Sequence, residues 1–167
     1  VESILIEIVT APTAAIAETD SSCTANDNKV LSGEAATLTA SGGTSYLWDD
    51  NSTNAVRVVN PVATTTYTVT VTNDDGCTDT ESIVIEVVSL PNVMITETDN
   101  SCTPNDGKIL SGDFATLTAS GGTSYMWNTG APTAGISVNP VSTTTYTVTA
   151  TDANGCTATA TVTIGEP

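Results

Sequence analysis

Along this chain apolar and polar residues alternate with a period of two in one short stretch after another. That is the pattern of a strand with one face packed and the other in water. The cleanest case is Thr66 to Thr72, where Tyr67, Val69 and Val71 fall on one face and Thr68, Thr70 and Thr72 on the other. Strands are predicted at Ala14–Glu18, Lys29–Leu31, Ala36–Ala40 with Leu38 inward, Ser45–Trp48, Val56–Val59, Thr66–Thr72 and Asp79–Val88. Between them lie turn signals: the polar loop Thr19–Asn28, Ser32-Gly33, Gly42-Gly43, Asp49–Asn54, Pro61 and Asn73-Asp74-Asp75-Gly76. Asp-Gly accepts the positive φ of a tight hairpin. Short strands at regular spacing between such signals predict an all-β, antiparallel sandwich.

The pattern then recurs. TLTASGGTSYLW at Thr37–Trp48 returns as TLTASGGTSYMW at Thr116–Trp127, and Cys23 and Cys102, Tyr67 and Tyr146, and Cys77 and Cys156 are likewise 79 positions apart. A period of that length is one small domain per repeat. The reading is therefore an extra strand at 1–11, repeat 1 at 12–90 and repeat 2 at 91–167. The extra strand, Val1–Val9, is itself a copy: ESILIEIVTAP at Glu2–Pro12 matches ESIVIEVVSLP at Glu81–Pro91. It reads either as the last strand of a preceding repeat in a longer array or as a strand donated to the edge of a neighbouring chain. The join Val88–Asn92 is short and holds Pro91, so it is expected to be stiff. Arg57 stands where repeat 2 has Ile136; a bulge turning Val56 and Val58 inward would leave Arg57 in solvent.

Composition narrows the function classes. Nineteen acids against three basic residues give a net charge of −16, which repels nucleic acid and anionic lipid. No run of 18 apolar residues exists to span a membrane, and Val1–Val9 lacks the basic flank of a signal peptide. There is no His, and no Ser or Cys stands beside a plausible base, so a non-enzyme is expected. Paired Cys at equal repeat positions suggest an oxidising, extracellular setting, with four buried thiols as the alternative.

At GEAATLTASGGTSYLW, followed by NPVATTTYTVTVTNDDGC, the chain resembles the Ig-like and PKD-like tandem repeats of Bacteroidota cell-surface adhesins and type IX-secreted proteins. The resemblance covers Pro12 to Ile164. It departs from PKD repeats at the turn after Trp, where Asp49-Asp50-Asn51 and Asn128-Thr129-Gly130 stand. What it implies is a pair of Ig-like sandwiches forming a surface or extracellular module.

The strongest chemical signal is cysteine. Equal spacing of 54 favours Cys23 with Cys77 and Cys102 with Cys156, with Cys77 to Cys102 as runner-up. The first pairing requires Cys23 beside the turn after Thr66–Thr72, a requirement that holds if Lys29–Leu31 runs back along the sheet parallel to the last strand. Candidate calcium ligands are Glu18, Asp20 and Asp27 with Asp74 and Asp75, and Glu97, Asp99 and Asp106 with Asp152 and Asn154; the plain alternative is that Asp and Asn simply make turns. Trp48 and Trp127 are expected in the core rather than on a sugar-stacking face. Tyr67 and Tyr146 resemble tyrosine corners, with the hydroxyl bonded to nearby backbone. Lys29 and Lys108 are candidates for isopeptide chemistry or plain solvated lysines. Asn51 heads a glycosylation sequon.

Three roles stay open on these grounds: a non-catalytic structural module of an extracellular fibre or adhesin stalk, whose partners are like domains; a carbohydrate-binding accessory module; and a filament subunit joined by donation of Val1–Val9.

Overall fold

The computed structural model describes Ile4 and residues 6–99, 105–110 and 112–165. The described residues are all strand, turn and loop. The chain forms two compact units, Val1–Val88 and Ser89–Pro167.

The first unit has seven strands: β1 (Ala15–Thr19), β2 (Lys29–Leu31), β3 (Ala36–Ser41), β4 (Ser45–Trp48), β5 (Val56–Val59), β6 (Thr65–Thr72) and β7 (Thr78–Val88). One sheet runs β1-β3-β5 and the other β2-β7-β6-β4. Every pairing is antiparallel except β2 with β7, where Lys29–Leu31 lie alongside Glu86–Val88. Alternation explains the faces: Val69 and Val71 of β6 and Leu38 of β3 are fully buried while the threonines between them reach solvent. Inward residues of both sheets, with Trp48, Tyr67 and Ile85, make one core. Each such aliphatic side chain contributes about 1.5–3 kcal/mol on burial. Trp48 is 2% exposed and its indole N–H donates to Asn54 O at 2.9 Å, so its polar atom is satisfied.

Gly42 is required at its corner. It has φ +104°, and a Cβ there would fall on the backbone oxygen of Thr13, where the chain enters β1.

The second unit repeats the plan with β8 (Met94–Thr98), β9 (Ala115–Ser120), β10 (Ser124–Trp127), β11 (Gly135–Val138), β12 (Thr144–Thr151) and β13 (Thr157–Ile164). Its sheets run β8-β9-β11 and β10-β12-β13. Registers are preserved across the period: Glu18 faces Leu38 as Glu97 faces Leu117, and Leu38 faces Arg57 as Leu117 faces Ile136. In place of β2 the described residues form a parallel bridge, Lys108 with Gly165. Ile109, Leu117, Trp127, Val148 and Ile164 fill its core.

Two expectations are corrected. The described part of Val1–Val9 is not a strand, and Ile4, Ile6 and Ile8 are 88%, 83% and 89% exposed; Val1, Glu2, Ser3 and Leu5 lie outside the described residues. A β-strand needs a ladder, and the described residues offer this segment none. Second, no bulge interrupts β5. Val56 and Val58 are exposed, whereas the Arg57 side chain is only 14% exposed and turns inward.

Candidate functional site

The loop between β1 and β2 is built by its own carboxylates. Asp20 accepts hydrogen bonds from Ser22 N at 2.7 Å, Ser22 Oγ at 2.8 Å and Asn26 N at 2.9 Å, and Asp27 accepts from Lys29 N at 3.0 Å. Asn26 and Asn28 take φ of 60° and 62°, which asparagine tolerates better than other non-glycine residues. Glu18 closes the loop from β1. It is 9% exposed, accepts from Asn28 N at 3.4 Å through one oxygen, and leaves Oε1 buried without a partner. Burial, together with the adjacent Asp20 carboxyl, pushes the Glu18 pKa up to about 7. Burial also raises Asp20, but the Ser22 hydrogen bonds outweigh it and hold Asp20 below the ordinary aspartate value.

The second unit builds the same loop. Glu97 accepts from Gly107 N at 2.9 Å, Asp99 from Asn105 N at 2.8 Å and Asp106 from Lys108 N at 2.9 Å. Glu97 is likewise raised, by burial first and then by Asp99, and its Oε1 is also buried without a partner. The structure thus gathers Glu18, Asp20 and Asp27 at one loop and Glu97, Asp99 and Asp106 at its counterpart. Asp74 and Asp75 are exposed on the β6–β7 turn, at the other end of the unit. Asp152 is spent inside the β12–β13 turn, accepting from Asn154 N and Cys156 N, both at 2.9 Å. Among the described residues no three acids or cysteines converge to hold a metal ion. The burial of Glu18 was readable: Ala14, Ile16 and Glu18 share one face at period two.

The cysteines depart from the expected pairing. Cys77 is a free thiol, while Cys23 and Cys156 are disulfide-bonded; Cys102 lies outside the described residues. The Cys23–Cys77 bond is therefore not formed, and the β2 register gives the reason. Because β2 runs parallel to β7, its loop sits at the far end of β7: Glu86 N donates to Asn28 O at 2.8 Å, and Ser22 Oγ to Lys29 O at 2.6 Å. Cys77 precedes Thr78, at the near end. Eight residues of strand separate the two ends, roughly 27 Å, against the 4.4–6.8 Å between Cα atoms that a disulfide allows. The parallel alignment named as the condition for that bond is present, and it is what forbids the bond.

Arg57 sits at the rim of the first core. Its guanidinium lies 4.9 Å from the Tyr67 ring and 5.6 Å from the Trp48 ring, and it pairs with Asp49 and, at 3.1 Å, with Asp50. The two acids of the turn after β4 thus neutralise a cation that stacks on the core aromatics. Trp127 is 2% exposed, and Tyr67 and Tyr146 are each 7% exposed. The hydroxyl-to-backbone bonds expected of Tyr67 and Tyr146 belong instead to Tyr46, which donates to Gly43 O at 2.9 Å, and Tyr125, which donates to Gly122 O at 2.7 Å. Lys29 Nζ lies 4.0 Å from Glu86. Asn51 is exposed at φ 67° on its turn.

One exposed aromatic side chain of the second unit has no counterpart in the first repeat. Phe114, which replaces Ala35 of repeat 1, is 63% exposed and lines a groove of about 260 Å³ with Thr98, Asp99 and Thr116. As the only phenylalanine of the chain and a break in the repeat, it was visible in the sequence. Comparison with known proteins gives no match, neither to a family model nor to a curated protein.

Proposed function

We propose that this chain is a non-catalytic structural module of an extracellular fibre or surface-adhesin stalk, an Ig-like tandem whose product is length and cohesion. The observation that carries the reading is the combination of tandem repetition with disulfide bonding at Cys23 and Cys156. Disulfides persist in oxidising compartments, and repeats that preserve their registers suit a fibre better than a single active site. The aspartates Asp20, Asp27, Asp99 and Asp106 hold the backbone of their own loops, which fits an architectural role. Antibodies against the chain test the location: labelling of intact source cells or of secreted fibres supports the reading, and labelling only after permeabilisation overturns it.

A second reading rests on the Phe114 groove. An exposed aromatic ring beside Asp99, Thr98 and Thr116 suits the apolar face and hydroxyls of a sugar. A glycan array compared between the wild type and Phe114→Ala decides it: hits lost in the variant support carbohydrate binding, and an array without hits refutes it.

A further inference from the structure

We propose that Cys77 is a cross-linking thiol, closed by a disulfide to the loop cysteine of another repeat of this kind that takes residues 2–12 as its last strand. The inference rests on the fibre reading and names the covalent joint that reading lacks. Three observations carry it.

The first is that the same turn is bonded one period later. Cys77 N donates to Asn73 Oδ1 and Cys156 N to Asp152 Oδ1, both at 2.9 Å; Asn73 N donates to Cys77 O at 3.0 Å and Asp152 N to Cys156 O at 2.9 Å. Equal turns therefore present both sulfurs, yet Cys156 is bonded and Cys77 is free.

The second is that the partner cannot come from within the repeat. The other cysteine of the first repeat, Cys23, is at the opposite end of β7 and is already bonded. A turn cysteine therefore has to bond outward.

The third places the partner. In the first unit the loop that carries Cys23 is tied to Glu86 near the end of the last strand. Residues 2–12 copy 81–91, so Glu7 is the counterpart of Glu86. Thr10, three residues beyond Glu7, accepts a hydrogen bond at 2.9 Å from the Asn73 side chain, in the turn of Cys77. A repeat built on residues 2–12 would thus anchor the loop that carries its cysteine three residues of chain, about 10 Å, from that turn, a gap the loop itself has to span. The exposed apolar face of Ile4, Ile6 and Ile8 is what such a repeat would cover.

The chemistry balances with a small-molecule disulfide as oxidant. The Cys77 thiolate attacks oxidised glutathione, forming a mixed disulfide and releasing one glutathione thiolate. The partner thiolate then displaces the second, so two protein thiols become one disulfide and one glutathione disulfide becomes two thiols.

The test has two arms, both in a glutathione redox buffer and read by alkylation of free thiols and non-reducing peptide mapping. One arm is the full chain at high concentration. The other is the full chain preceded by a copy of residues 12–79, so that residues 2–12 complete an added repeat. The expected result is loss of Cys77 labelling, with Cys77 recovered joined to a loop cysteine, and loss of that linkage in Cys77→Ser. Linkage between copies in the first arm identifies a second chain as the source, and linkage in the second arm alone identifies a repeat in the same chain. Cys77 that stays fully labelled in both arms, or that pairs with another Cys77, overturns the proposal, whereas the location test above is unaffected by either result.

Discussion

Replacing Glu18 by Gln should stabilise the protein at alkaline pH and do little under acid conditions. In the folded chain the Glu18 carboxyl has a pKa of about 7 against an ordinary value of 4.5, because burial and Asp20 disfavour its charge. The folded state therefore binds the proton more tightly than the unfolded state. That contribution is fully present below pH 4.5 and is lost as pH rises through 7. A separation of about 2.5 pH units corresponds to about 3 kcal/mol. Asp20 shifts the opposite way, and its contribution is lost only as pH falls below the ordinary aspartate range, so the two windows do not overlap. Glutamine keeps the Asn28 N–H acceptor and adds an amide that can donate to Asp20. Urea unfolding of the first unit at pH 5 and pH 8, followed by Trp fluorescence, measures the effect. At an m-value of about 1.5 kcal/mol/M the variant should gain about 2 M in midpoint at pH 8 and about a quarter of that at pH 5. Wild-type stability that is flat or rising between pH 5 and 8, or a variant weaker than wild type at pH 8, would refute the argument.

Other outcomes follow from single contacts. Gly42→Ala combines a positive φ with a collision at Thr13 O and should cost about 3 kcal/mol or more, read as a lowered Tm; a neutral result would mean that the corner relaxes freely. Arg57→Ala should cost about 1–2 kcal/mol from two aromatic contacts and an exposed ion pair, partly screened by salt, while Arg57→Ile, the residue the second repeat uses, should be close to neutral. Equal losses in the two variants would show that the site depends on the guanidinium's own contacts and that apolar volume does not replace them.

The strands were legible because alternation is a local signal: β2, β4 and β5 begin and end where the period and turn residues put them, and β6 and β7 run one residue longer at their N-termini. What was not legible depended on direction and partners. Parallel pairing of β2 enters the sequence reading only as the condition for a Cys23–Cys77 bond; its actual consequence, that Cys23 and Cys77 face opposite ends, requires following the loop to Glu86. Arg57 was misplaced because charge was assumed to seek water; the aromatics and the two acids around it supply a better site than a bulge. The Val1–Val9 alternation reads as a strand, yet alternation provides a face and not a ladder, and the described residues leave that face uncovered.

The central claim is that the cysteines of these repeats bond outward, so that each core is closed by its ladders and the sulfurs serve to join repeats. Non-reducing peptide mapping of the full chain after alkylation tests it most directly. The account predicts a linked peptide containing Cys23 that lacks residues 70–80; recovery of Cys23 joined to Cys77 would contradict it.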